Sequence, residues 1–200
     1  MNLSFKTYII SLLHRADRRA SVVASLHKQG IFNYSFLSGY PNNDIELKNE
    51  KQSWLKSGQI GFNVAYYMAL ATIALNHSKD EYVLLLEDDA VLCDNFKHKV
   101  SDILQCDFDM CYLFFAECKE RGDIIKSFNG FDLISVNYPV CTTGIIYKVS
   151  AIKKVLEFLI PMNTVYDNQI GLRINEINAC GCMPHLVHLN GSNSDIMLSS

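Results

Sequence analysis

An apolar run that ends in three consecutive carboxylates, Tyr82-Val83-Leu84-Leu85-Leu86-Glu87-Asp88-Asp89-Ala90-Val91-Leu92, constrains this chain more than any other stretch. Entered from the polar Ser78-Lys79-Asp80-Glu81, the run has the pattern of a buried strand that starts at a surface loop. Any fold that buries it must find partners for the acids at its carboxyl end. In open α/β sheets that end is where ligands bind, and clustered hard oxygens there suit Mg²⁺ or Mn²⁺ shared with a substrate diphosphate. If the strand stays extended through the acids, Glu87 and Asp89 share one face and Asp88 takes the other. Asp89 is then the first choice for a metal ligand, with Glu87 beside it. An acidic turn capping a following helix is the competing account.

Composition narrows the classes of protein this strand can belong to. With 200 residues, 49% hydrophobic and 20% charged, the chain predicts one globular domain over 1–200. A net charge of -3 and a pI near 6.0 argue against nucleic-acid binding through bulk charge, while leaving room for one phosphorylated ligand on a local basic patch. Seven cysteines, odd in number and without a paired C-x-x-C framework, predict reduced thiols and a cytoplasmic protein. The segment Tyr8-Ile9-Ile10-Ser11-Leu12-Leu13 is too short to anchor in a bilayer, and no other span is predicted. Lys153 and Lys154 on one helix are open to two accounts: a weak peripheral contact with the inner face of the cytoplasmic membrane, or a solvated helix face.

In chain order, Thr7 to Leu13 predicts a first strand, followed by the basic loop His14-Arg15-Ala16-Asp17-Arg18-Arg19 and a helix to Gln29. Asp17 suits its amino end and Gly30 its stop. Phe32 to Ser38 completes the opening of a βαβ unit, so Arg15 and Arg18 lie where a diphosphate would sit. Pairing with local acids is the alternative for either arginine. Residues 39–57 are expected to be a polar surface excursion. A helix from Gly58 to Asn76 is apolar over a wide face, and its Tyr66 and Tyr67 reach either the site or the core.

Beyond the acids, the pattern predicts a helix over Cys93–Gln105 and a strand over Met110–Phe115, with Glu117 at that strand's carboxyl end. Asp107 and Asp109 fall at its amino end, away from where such sheets bind ligands. A charged loop or hairpin spans Lys119–Asn129. Strands follow at Phe131–Val136 and Thr142–Tyr147, the second with a polar entry that makes Thr143 a candidate substrate contact. Ser150 is expected to cap a helix ended by Pro161, Asp167 to open another to Ile177, and Leu186–Leu189 to form a short strand. Cys180, Cys182, His185 and His188 carry zinc-ligand chemistry at spacings that buried thiols and loop histidines explain equally well.

The order of these features resembles glycosyltransferase family 25, the bacterial lipopolysaccharide β-galactosyltransferases. The resemblance rests on the Ser11-Leu12 strand with Arg15, Arg18 and Arg19, on Gly58-Gln59-Ile60-Gly61 opening a helix, and on Leu85-Leu86-Glu87-Asp88-Asp89-Ala90-Val91-Leu92. Weaker matches are Tyr147-Lys148-Val149-Ser150, Val165-Tyr166-Asp167, Pro184 and Ser194-Asp195-Ile196.

The resemblance implies a single GT-A-like, Rossmann-type α/β domain with a mostly parallel sheet flanked by helices. It also implies transfer of a hexose, typically galactose from UDP-galactose, with inversion onto a lipopolysaccharide or other surface glycan or glycolipid. By the same likeness Asp89 binds the metal, Glu87 or Asp88 the ribose or metal waters, and Asp167 approaches the sugars. For such chemistry Asp167 is the candidate base, with Glu117 in reserve. The family's helix usually reads G-C-x-L-S-H, whereas here it is Gly61-Phe62-Asn63-Val64-Ala65-Tyr66. That departure, with a chain shorter than typical members, motivates a second reading: an inactive or regulatory paralogue. A metal-dependent nucleotidyl- or phosphotransferase is a third, disfavoured by the lack of a phosphate-cradling glycine-rich loop.

Overall fold

A computed structural model describes residues 5–40, 55, 57–117 and 122–191, the side chains of Ser57 and Glu117 excepted. The acidic strand, β3 (Tyr82–Glu87), lies inside an eight-stranded sheet. On one side it pairs in parallel with β1 (Lys6–Ser11), which pairs in parallel with β2 (Tyr34–Ser38). The register sets Ser11 opposite Ser38 and Ile10 opposite Glu87, so three strand ends meet at one edge. Helix α1 (Ala16–Lys28) makes the crossover between β1 and β2 and ends before Gly30, whose φ of +67° a residue without Cβ adopts at no steric cost.

After β2 comes α2 (Ser57–Asn76), then β3, β4 (Ala90–Leu92), α3 (Phe96–Ile103), β5 (Met110–Tyr112) and β6 (Ala116–Glu117). The chain continues through β7 (Ile124–Phe128), β8 (Phe131–Ser135), β9 (Pro139–Val140), β10 (Gly144–Lys148) and α4 (Val149–Phe158). It closes with α5 (Tyr166–Leu172), a 3-10 turn (Ile174–Glu176), β11 (Ala179–Met183) and β12 (Val187–Leu189). The sheet order is β2-β1-β3-β10-β5-β11-β8-β7. In it β10 and β8 run against the other strands, which gives a mixed, mostly parallel α/β sheet.

Both faces of the sheet are covered, which is why β3 is apolar without alternation. Val83 and Leu85 pack with Leu70 and Ile73 of α2, Ile152 of α4 and Ile170 of α5. Leu84 and Leu86 pack with Val22 and Leu26 of α1 and with Phe96 and Val100 of α3. By length and composition α2 could cross a membrane, yet half of that window is buried inside the fold, against the sheet.

Several boundaries differ from the sequence-based expectation. Arg15, not Asp17, takes the N-cap of α1, and Asp17 sits in its first turn, where the Arg15 side chain bonds it. Lys148, not Ser150, takes the N-cap of α4. The expected Cys93–Gln105 helix is confined to Phe96–Ile103 behind Asn95, which has a φ of +56°. The strand expected to run to Phe115 ends at Tyr112. Glu117 therefore does not end β5; it lies in β6, paired antiparallel with β9. Much of the 39–57 excursion, Lys119 and Ser194-Asp195-Ile196 lie outside the described residues.

Candidate active site

The aligned ends of β1, β2 and β3 open into a cleft of about 650 Å³, the open space at its mouth included. Ser11, Leu12 and Arg18 line it from the first crossover, Gly39 and Tyr40 from the end of β2, and Gly61, Ala65 and Tyr66 from α2. Glu87, Asp88 and Asp89 form the remaining wall. Gly61 is required there: a Cβ on it would stand 2.5 Å from the Tyr40 carbonyl oxygen, so a larger residue would force α2 from the β2 end.

The acids do not continue the strand. β3 stops at Glu87 and Asp88-Asp89 form a turn, because the next residues leave the sheet to pair with β12, Val187 opposite Leu92 and Leu189 opposite Ala90. The Asn190 N–H donates to the Asp89 carbonyl at 2.9 Å and pins the turn. Alternating faces therefore do not govern the triplet, and each acid has its own surroundings.

Asp88 is buried and accepts a hydrogen bond at 3.0 Å from Nη1 of Arg18, which is itself only 7% exposed. The same Nη1 lies 3.6 Å from Asp89 Oδ2. Asp89 Oδ1 is buried and accepts no hydrogen bond among the described residues. Burial raises the Asp89 carboxyl above its ordinary value, and the nearby Arg18 charge offsets part of the rise.

Glu87 is bound from the opposite side. Its Oε1 lies 2.9 Å from Tyr66 Oη and 2.5 Å from Thr142 Oγ1, and Tyr66 Oη also lies 2.8 Å from the Thr142 carbonyl oxygen. A phenol has one proton to donate to these two acceptors. With Glu87 ionised, three short oxygen contacts share two protons; a protonated Glu87 supplies the third. Burial above all, with the Asp89 charge second, pushes the Glu87 carboxyl up to about 7, and the Thr142 and Tyr66 hydrogen bonds offset part of the rise. Glu87 is thus a wall residue that holds its proton to a higher pH than an ordinary carboxylate, while Asp88 and Asp89 share the Arg18 guanidinium.

The structure gathers Arg18, Glu87, Asp88, Asp89 and Tyr66 at one cleft. Arg15 stands at its edge, bonded to Asp17 and near enough to favour the ionised form of Asp89. Thr143 contributes its carbonyl, which accepts the Glu87 N–H at 3.0 Å, whereas the hydroxyl that meets the Glu87 side chain belongs to Thr142.

Asp167 lies outside the cleft lining. Its oxygens accept from the Cys141 N–H at 3.2 Å and the Asn168 N–H at 2.9 Å. It braces the turn that presents Thr142, and the same turn follows β9, the partner of the strand holding Glu117. Both candidate bases thus belong to the β9 side of the molecule.

Cys180 and Cys182 are buried in the core, with Cys182 Sγ 3.8 Å from Cys111 Sγ, while His188 is exposed on β12. No group of three His, Cys, Asp or Glu side chains converges as a metal cage among the described residues. A hard ion held by one or two carboxylates and a diphosphate does not need such a cage. The undonated Asp89 Oδ1 is the oxygen available for it.

Sequence reasoning missed Thr142 and Asn63. Asn63 accepts the Tyr166 N–H at 2.7 Å and donates to the Thr164 carbonyl at 2.8 Å, tying the start of α5 to α2. An asparagine on an otherwise apolar helix was the signal for it.

No protein-family model and no curated protein sequence matches this chain. Solved structures do. A glycosyltransferase involved in glycosylation of the major capsid of PBCV-1 is similar over 97% of this chain and 96% of its own, at 13% identity and a TM-score of 0.54. A Bacillus anthracis protein assigned as a glucose-1-phosphate thymidylyltransferase, in complex with a sucrose, is similar over 98% and 94%, at 12% identity and a TM-score of 0.51. At these identities the likeness concerns the fold, and the fold is the GT-A and nucleotidyltransferase type of mixed α/β domain.

Proposed function

We propose that the chain is a nucleotide-sugar-dependent glycosyltransferase, moving a hexose, foremost galactose from UDP-galactose, with inversion onto a surface glycan or glycolipid such as lipopolysaccharide. The observation that carries this reading is the Asp88-Asp89 turn with Arg18, placed in a cleft at the carboxyl ends of parallel strands. Ligands bind at that edge in α/β sheets, and carboxylates beside a guanidinium are the parts needed to hold a metal–diphosphate. Asp89 would hold Mn²⁺ or Mg²⁺, which when bound supplies charge stabilisation to the departing diphosphate.

In the inverting step the acceptor hydroxyl attacks the anomeric carbon as the bond to the diphosphate oxygen breaks. The hydroxyl proton passes to a carboxylate base. Asp167 is assigned that role, its orientation fixed by the Cys141 and Asn168 N–H groups, with Glu117 in reserve. Glu87, with Tyr66 and Thr142, shapes the donor wall.

Asp89→Asn tests the reading, because it keeps the size of the side chain and removes its charge. UDP affinity with and without Mn²⁺ should be metal-responsive in the wild type and lose that response in the variant, at similar melting temperature. Equal metal-responsive binding by both would refute the assignment. The likeness to a thymidylyltransferase favours one alternative, nucleotidyl transfer. Release of pyrophosphate rather than UDP would identify it.

A further inference from the structure

Arg18 holds an unusual position for a cation in a site meant for a metal. Its guanidinium is 3.0 Å from Asp88 Oδ1 and 3.6 Å from Asp89 Oδ2, and all three residues are buried. In such surroundings neither the arginine nor the carboxylates can be left uncompensated without a large desolvation penalty. The pair of acids with Arg18 sums to one negative charge. Adding a divalent ion while Arg18 stays would put two cations on the same two carboxylates and reverse the sign. Adding a diphosphate with the ion restores the balance, since the guanidinium fork fits phosphate oxygens as well as carboxylate ones. The buried Asp89 Oδ1, with no donor among the described residues, is an oxygen that Arg18 does not satisfy.

We infer that Arg18 is the resting counter-ion of the acidic turn and gives up its place to a divalent ion only as a diphosphate arrives to take the guanidinium. Ion and nucleotide then bind as a coupled pair. This rests on the donor reading above and adds to it an order: the metal alone binds weakly, because a tethered cation occupies its carboxylates. By linkage, the factor by which the nucleotide tightens the ion equals the factor by which the ion tightens the nucleotide.

The test titrates Mn²⁺, followed by the electron paramagnetic resonance of the free ion, into wild type and Arg18→Gln, first without nucleotide and then with saturating UDP. In the wild type, UDP should tighten Mn²⁺ by about tenfold or more, and calorimetry of UDP should return the same factor. Without nucleotide, Arg18→Gln should bind Mn²⁺ about tenfold more tightly than the wild type, while its coupling to UDP falls below about threefold. Nucleotide-free Mn²⁺ affinity equal to or weaker than the wild type would overturn the inference. If Arg18→Gln does not fold, Arg18→Gln with Asp88→Asn removes cation and anion together and leaves Asp89 uncontested. That variant should still bind Mn²⁺ alone more tightly than the wild type, and no gain overturns the inference equally. A wild type blind to UDP and UDP-galactose overturns the donor reading and the coupling, whereas the nucleotide-free comparison decides the counter-ion role by itself.

Discussion

Replacing Glu87 by glutamine should flatten the pH dependence of this protein's stability. In the fold the Glu87 carboxyl is raised from 4.5 to about 7, by burial first and by the Asp89 charge second. Between those values the folded chain keeps a proton that the unfolded chain has released. The stability this provides is fully present below pH 4.5 and is lost as pH rises through about 7. A displacement of that size corresponds to about 3.4 kcal/mol without screening. Because Glu87 faces the cleft and is only partly buried, water reduces the effect to ~1–2 kcal/mol. Glutamine stays neutral at every pH and can still bridge Tyr66 and Thr142. Urea unfolding of both proteins at about pH 5 and pH 8 reads Glu87 with its coupling to Asp89, since titrating groups away from it are shared and cancel in the difference. The variant should gain on the wild type by ~1–2 kcal/mol on going from the lower to the higher pH. Parallel stabilities at both would refute the proton count around Tyr66, Thr142 and Glu87.

Tyr66→Phe removes the phenolic proton shared between Glu87 and the Thr142 carbonyl, leaving a buried acceptor short of a donor, and should cost about 1–3 kcal/mol by urea unfolding with an unchanged m-value. A loss under ~0.5 kcal/mol would mean that the hydroxyl is not part of the network. Gly61→Ala would ordinarily favour a helix, yet here it sets a methyl 2.5 Å from the Tyr40 carbonyl oxygen, so a net loss of about 1–3 kcal/mol and weaker UDP binding are expected. A rise in melting temperature would show that the β2 end and α2 can separate freely.

The central strands were legible because burial on both faces writes itself into sequence as an unbroken apolar run, as in Val83-Leu84-Leu85-Leu86, and helices α1 and α2 because their glycine signals and apolar spacing agree. The region after β5 was not. Met110 to Phe115 is continuously apolar, but Leu113 and Phe114 leave the strand, and the Gly144 carbonyl and the Leu186 N–H take their hydrogen bonds with Leu113. A short ladder such as β6 with β9 has too few residues for a period to show, so Glu117 could not be separated from β5 by pattern.

The site divides in the same way. That three acids end a buried strand near an arginine loop is a local fact, readable from spacing and the direction of the strand. Their separate roles are not local. The extended reading failed at Asp88 because β4 is drawn off by β12, a partner nearly a hundred residues later, and nothing within the triplet records that pull. Glu87 is raised to about 7 by burial and the Asp89 charge, against a phenol from α2 and a threonine from the turn before β10 that reach the same oxygen from 21 and 55 residues away and lower it. Asp88 has a guanidinium for its partner because α1 delivers Arg18 across 70 residues. Neighbouring carboxylates thus acquire different surroundings from elements that sequence order keeps apart: Glu87 is met by two neutral hydroxyls, whereas Asp88 and Asp89 share the Arg18 guanidinium.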